Sequence, residues 1–175
     1  MKMTLKRQLT KYSLVLLPFL TIMVLTGCGT VQHKVTFQDN YSPQAQTKIE
    51  VGQVTNQTIQ TFDVDIEQLL REALAEALQK EALLWDGSTG DRLILNSKII
   101  EYDKGNAFMR WLVPGAGSTA LAIRCDLKEG DKVVGSAEAK RTVDAGGLYT
   151  IGAWKTIFGS VARDVVNDIR SQIKK

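Results

Sequence analysis

Residues 120–143 read ALAIRCDLKEGDKVVGSAEAKRTV, and this stretch decides the fold class. Leu121, Ile123, Cys125 and Leu127 alternate with Ala122, Arg124 and Asp126. A period of two puts one side of a strand in a core and the other in water. Glu129-Gly130-Asp131 breaks the pattern as a hairpin turn, and Lys132 to Val143 returns antiparallel. Upstream, Arg92 to Tyr102 is rich in Ile and Leu, as a long strand is, so the three segments form a meander.

Outward from the hairpin the period changes to that of a helix. Ile66, Leu69, Leu70, Ala73, Ala77 and Leu78 recur on one face, while Glu67, Arg71, Glu76 and Lys80 mark a wet one. Asp65 stands where an N-cap belongs, with Gln68 three residues on to complete a capping-box pattern. A second amphipathic helix spans Ala153 to Ile173 and buries Trp154, Ile157, Phe158, Val161, Val165 and Ile169. Ile49 and Val51 mark a first strand. The expectation is an α+β fold: a two-layer sandwich of about four mostly antiparallel strands packed by two amphipathic helices.

The N-terminus reads as a processed segment. Lys2, Lys6, Arg7 and Lys11 precede an apolar run from Leu14 to Leu25, and Leu25-Thr26-Gly27-Cys28 closes it. A charged start, a short apolar core and small residues at the cut are what a secretory signal needs. The run falls short of the roughly 20 apolar residues of a membrane-spanning helix. The last four residues resemble the lipobox of bacterial lipoproteins. That resemblance implies a diacylglycerol on the Cys28 thiol, cleavage before it, and attachment to the bilayer through acylated Cys28. Gly29, where an Asp would retain such a protein in the inner membrane, implies the outer membrane, with the domain facing the periplasm. The division expected is 1–27 signal peptide, 28–48 lipidated flexible tether, and 49–175 a single periplasmic domain. Val35 and Phe37 leave room for a short edge strand within the tether.

Cleavage settles the electrostatics. The whole chain is +3, with 22 basic and 19 acidic residues; the first 27 hold four basic and no acidic ones, leaving 18 against 19. A chain without basic excess does not neutralise phosphates, so no nucleic-acid partner is expected.

Catalytic and metal-binding constellations are missing from the sequence. His33, the single histidine, stands in the expected tether with no packed surroundings, so a nucleophile has no base. One histidine and Cys125 cannot fill a zinc site, and no cofactor is expected. Cys125, at strand spacing between Ile123 and Leu127, reads as a small buried hydrophobe. Asp63, Asp65 and Glu67 lack the further ligands and the glycine of a calcium loop, and helix capping accounts for them. Gly115-Ala116-Gly117-Ser118-Thr119 lacks the lysine and following helix of a phosphate loop.

Gly105 to Gly117 is the oddity. Ala107, Phe108, Met109, Trp111, Leu112 and Val113 crowd around Arg110 where a connection is normally polar. Two readings stand. In one, these side chains close over the end of the sheet core and Arg110 pairs an acid. In the other, Phe108, Arg110, Trp111 and Leu112 form a contact surface for a partner protein, a second copy or lipid headgroups; Trp154 and Tyr149 fit either arrangement.

The strand Ile94-Leu95-Asn96-Ser97-Lys98-Ile99-Ile100, the turn Tyr102-Asp103-Lys104-Gly105-Asn106, Arg110 ahead of Gly115-Ala116-Gly117, and Gly146-Gly147 before a terminal helix resemble the bacterial lipoprotein family designated domain of unknown function 4410. The resemblance runs from about Ile49 to Ile173. It implies a secreted, lipid-anchored domain and supplies no catalytic residues. The function expected is a non-enzymatic envelope lipoprotein that binds or assembles with another envelope component, or with itself, through its sheet edge or the Gly105–Gly117 segment. The alternative is a carrier or sensor of an apolar small molecule held between helices and sheet. A carboxylate hydrolase would need two converging acids.

Overall fold

A computed structural model of the chain describes residues 30–44, 46–87, 92–113, 116–144 and 151–173. The hairpin of residues 120–143 forms as its alternation dictates. Strand β4 (Thr119–Glu129) pairs antiparallel with β5 (Lys132–Val143), turning at Gly130, whose φ of 57° suits a residue without a side chain. Strand β3 (Arg92–Asp103) lies antiparallel on the other side of β4, completing the meander.

Two strands flank this trio, giving the order β1-β5-β4-β3-β2. Strand β2 (Lys48–Asn56) runs parallel to β3, because helix α1 (Ile66–Lys80) carries the chain back across the sheet between them. The bulge in β2 between Val51 and Val54 sits beside Asn96, whose Oδ1 accepts from the Gln53 amide at 2.8 Å. Strand β1 (Val31–Phe37) lies antiparallel along β5, from Val31 opposite Arg141 to Phe37 opposite Gly135. The sheet thus has five strands where about four were expected. The segment expected as a flexible tether contributes one of them. Of β1, Val35 alone is buried, so the β5 edge decides the pairing more than any strong pattern in the strand itself.

Both long helices cover one face of the sheet. Asp65 caps α1, its Oδ1 accepting from the Gln68 amide at 2.8 Å, while the Gln68 side chain donates to Glu72. The last helix (Ala153–Ile173) has the bounds that its periodicity predicts. Leu70, Leu74 and Leu78 of α1, with Phe158, Val161, Val165 and Ile169 of the last helix, pack on Leu93, Leu95, Ile99, Leu121, Ile123 and Leu127. Trp154, read as buried, is half-exposed in the first turn with Lys104 Nζ 5.1 Å from its ring centre. The opposite sheet face carries cross-strand ion pairs: Lys98 with Asp126, Arg124 with Glu138, and Lys140 with Glu101. Such a face suits water, and the two-layer α+β architecture follows.

Candidate functional site

Beyond β3 the chain makes a hydrogen-bonded loop before entering β4. Gly105 and Gly117 both adopt left-handed backbone, with φ of 64° and 69°. They also touch: a methyl group on Gly105 would lie 2.6 Å from the Gly117 and Ser118 carbonyls. The Asn106 amide donates to the Gly117 carbonyl at 2.9 Å, closing the loop. Asn106 Oδ1 then accepts from the amides of Phe108 and Met109 at 3.0 and 3.2 Å, which starts a short helix, α2 (Ala107–Leu112).

Arg110 is the underside of that helix. It is 4% exposed, and its Nη1 donates to the Gly117 carbonyl at 2.7 Å and to Thr119 Oγ1 at 2.8 Å. The Thr119 hydroxyl passes its own proton to the Lys104 carbonyl at 3.0 Å. A guanidinium under a one-and-a-half-turn helix thus stitches both ends of the segment together. Arg110 therefore does not belong to the contact surface with which it was grouped; it is the rivet beneath it.

The other three residues of that surface face outward. Phe108 is 63% exposed, Trp111 68% and Leu112 57%, and Met109 and Val113 join them at the surface. The Phe108 and Trp111 ring centres lie 6.2 Å apart. The reading in which these groups close over the core fails, because inward Arg110 turns the apolar face of α2 away from it. The capping role of Asn106 and the anchoring role of Thr119 escaped the sequence reading. An Asn followed by a short apolar run was the available signal for the first; nothing local points to the second.

Strand register says what else shares this end of the sheet. Tyr102 lies opposite Leu121, Leu121 opposite Arg141, and Arg141 opposite Val31. Thr30 is held there too, its amide on Thr142 Oγ1 at 2.9 Å and its carbonyl accepting from the Thr142 amide at 3.0 Å. Ile59, in the loop after β2, and Ile151, before the last helix, are exposed at the same end. The opposite end carries Lys48, Arg92, Glu129, Asp131 and Lys132. Most of the large exposed apolar side chains thus gather at one tip, beside Asp103 and the Asp63–Lys104 ion pair, while the other tip carries mainly charged groups.

The remaining candidates resolve into structural roles. His33 is not left without surroundings: its Nδ1 meets Asp168 Oδ2 of the last helix at 2.7 Å. Asp63 binds Lys104 at 2.7 Å, which holds its carboxyl below the usual range. Asp65 is the cap, and Glu67 accepts from the Asn56 amide at 2.6 Å. Cys125 is buried beside Ser97 Oγ at 3.1 Å, and burial pushes its thiol up to about 12. Among the described residues no three His, Cys, Asp or Glu side chains gather to hold a metal, and no helix is long and apolar enough to cross a membrane. The helix–sheet interface, where a carrier would hold cargo, is filled by side chains without accessible surface. A groove of about 370 Å³ between α1 and the last helix is rimmed by Glu72, Glu76, Lys80, Lys155 and Arg163. Residues 1–27, Cys28, Gly29, Gly115, Gly146, Gly147 and Tyr149 lie outside the described residues.

A family model described as a domain of unknown function, DUF4410, matches residues 38–147, the span from the end of β1 past β5 that includes the loop between β3 and β4. Solved structures that share the fold include two from Paraburkholderia phytofirmans. A variant PelC dodecamer has a TM-score of 0.55 at 16% identity, covering 83% of this chain and 100% of its own. A second PelC dodecamer has a TM-score of 0.54 at 14% identity, covering 81% and 98%. No curated protein matches the sequence.

Proposed function

The chain belongs to the domain-of-unknown-function 4410 family, and from that premise we propose that it is a lipid-anchored, non-enzymatic protein of the bacterial envelope that works by surface contact and assembles with copies of itself. The last helix of the chain is α3 (Ala153–Ile173). One observation carries the contact reading: Phe108, Trp111 and Leu112 are exposed on a helix that Arg110, Asn106 and two touching glycines hold in place. An apolar face kept rigid in water is a contact surface waiting for its occupant.

Self-assembly has separate support. Strand β1 pairs with β5 on one side, and among the described residues no strand lies on its other side. Such an edge offers unpaired amides and carbonyls to another chain. The two PelC structures of the same fold are dodecamers.

Anchoring rests on Cys28 and its preceding Leu25-Thr26-Gly27, with Gly29 favouring the outer membrane and a periplasmic domain. The test is expression of the full chain and its Cys28→Ser variant in a Gram-negative envelope. The parent is expected to lose residues 1–27 and sediment with outer membranes; the variant is expected to stay uncleaved. A photo-crosslinker at exposed Thr36 on β1 is expected to yield multimers of this chain. A processed, membrane-bound variant ends the anchoring reading, and monomer alone from Thr36 ends the assembly reading.

A further inference from the structure

We infer that the apolar tip docks into the headgroup region of the phospholipid surface that holds the acyl chains of Cys28; this rests on the anchoring reading above and names the occupant of α2. Three observations select a lipid surface over a protein.

The first is the short reach from Cys28 to Thr30. Thr30 is fixed to Thr142 at the tip, and Cys28 precedes it by two residues. Two extended residues reach about 7 Å at most. An acylated Cys28 therefore brings this end of the sheet, rather than its charged opposite, down to the bilayer. Strands lie about 4.8 Å apart, so α2, between β3 and β4, stands within about 15 Å of β1 across the same end. A longer tether would have left the orientation free.

The second is the chemistry of the helix. Every exposed side chain of α2 is apolar, namely Phe108, Met109, Trp111 and Leu112, and its single charge, Arg110, is turned inward. Tryptophan and phenylalanine beside leucine are the side chains that settle at the headgroup–acyl boundary, to a depth of about 5–10 Å. Ile59 and Ile151 add exposed apolar side chains at the same end on two further segments, beside Asp103 and the Asp63–Lys104 ion pair.

The third is the unequal share of exposed apolar side chains between the two ends. Lys48, Arg92, Glu129, Asp131 and Lys132 occupy the far end, about 30 Å away along 21-residue α3. Acyl chains already supply affinity, so the contribution of the tip is orientation: it stands the sheet upright and presents the edge of β1 sideways, where neighbouring copies in the same membrane meet it.

The processed lipoprotein, reconstituted in vesicles of phosphatidylethanolamine and phosphatidylglycerol brominated near the headgroup end of their acyl chains, tests this. Two chains each keep one reporter. Trp85→Phe with Trp154→Phe leaves Trp111; Trp111→Phe with Trp154→Phe leaves Trp85, which sits at the charged end against Arg92. Matching circular dichroism and thermal transitions confirm that both are folded. The expected result is a blue shift and loss of most Trp111 emission on bromination, with Trp85 emission unchanged. If the chain floats with vesicles while Trp111 emission matches that of Trp85, the anchor stands and the docking inference falls. A blue shift without bromine quenching, growing with protein density, places a second copy on the tip and also overturns it. A chain that fails to float overturns the anchoring reading itself.

Discussion

Arg110 and Thr119 meet at 2.8 Å beneath the outer face of α2, and the same Thr119 hydroxyl donates to the Lys104 carbonyl at 3.0 Å. The pair converts an apolar loop into a platform: the exposed side chains above it have nowhere to collapse.

Thr119→Val removes the hydroxyl and leaves buried donor and acceptor groups short of a partner. Stability is expected to fall by about 2–3 kcal/mol in urea denaturation, since hydrogen bonds to charged groups contribute at that level. Thr119→Ser is expected to retain most of it. Trp111→Asp, on the exposed side of the same helix, is expected to stay within about 0.5 kcal/mol of the parent. Equal losses from Thr119→Val and Trp111→Asp would mean that α2 is packed as core.

Gly105→Ala and Gly130→Ala both place a side chain at positive φ, 64° and 57°. At Gly130 the new methyl group meets nothing within 4 Å, so only the left-handed backbone cost of about 1–2 kcal/mol applies. At Gly105 it lands 2.6 Å from two carbonyl oxygens, and the loss is expected to exceed that of Gly130→Ala clearly. Comparable thermal transitions for the two would contradict the close approach of Gly105 to Gly117.

The Cys125 thiol, raised by burial from 9.0 to about 12, is expected to resist alkylation in the folded protein at pH 8 and to react once denatured. Its thiolate fraction at that pH lies far below that of an ordinary thiol. Rapid native labelling would contradict the buried placement.

The same shift predicts a pH dependence of stability. A folded thiol that keeps its proton longer than the unfolded one contributes fully below pH 9 and loses that contribution as pH rises toward 12. Tyr102, also raised to about 12 by burial and by the charges of Asp63 and Asp103, adds the same sign starting from 10.0. Stability measured by urea at rising pH is expected to fall across that window, and Cys125→Ala is expected to flatten its lower part. A slope of the opposite sign would refute the assignment.

Asp164 Oδ1 accepts from Arg141 Nη2 at 2.9 Å while Oδ2 takes Nε, a two-pronged tie between α3 and β5. Asp164→Asn keeps the shape and removes the charge, and a loss of about 1–3 kcal/mol is expected because the carboxylate is mostly buried. His33→Ala, which releases the more exposed contact with Asp168, is expected to cost less than half of that. A reversed ranking would show that β1 depends on His33 more than on its pairing with β5.

Much of this architecture was legible in residues read one after another. The alternation of Leu121 to Leu127, the turn at Gly130, the cap at Asp65 and the bounds of the terminal helix are local patterns, and local sterics and burial periodicity produce them directly. What only the folded chain decided is long-range. Strand β1 joined the sheet because β5 offered it an edge, and His33 found Asp168 across 135 positions of sequence. The apolar run of α2 faced outward because Arg110 reached Thr119 from below. Register then carried Thr30 to the same end as Trp111. Hydrogen bonds between distant backbone segments set that coincidence, and no spacing along the chain encodes it.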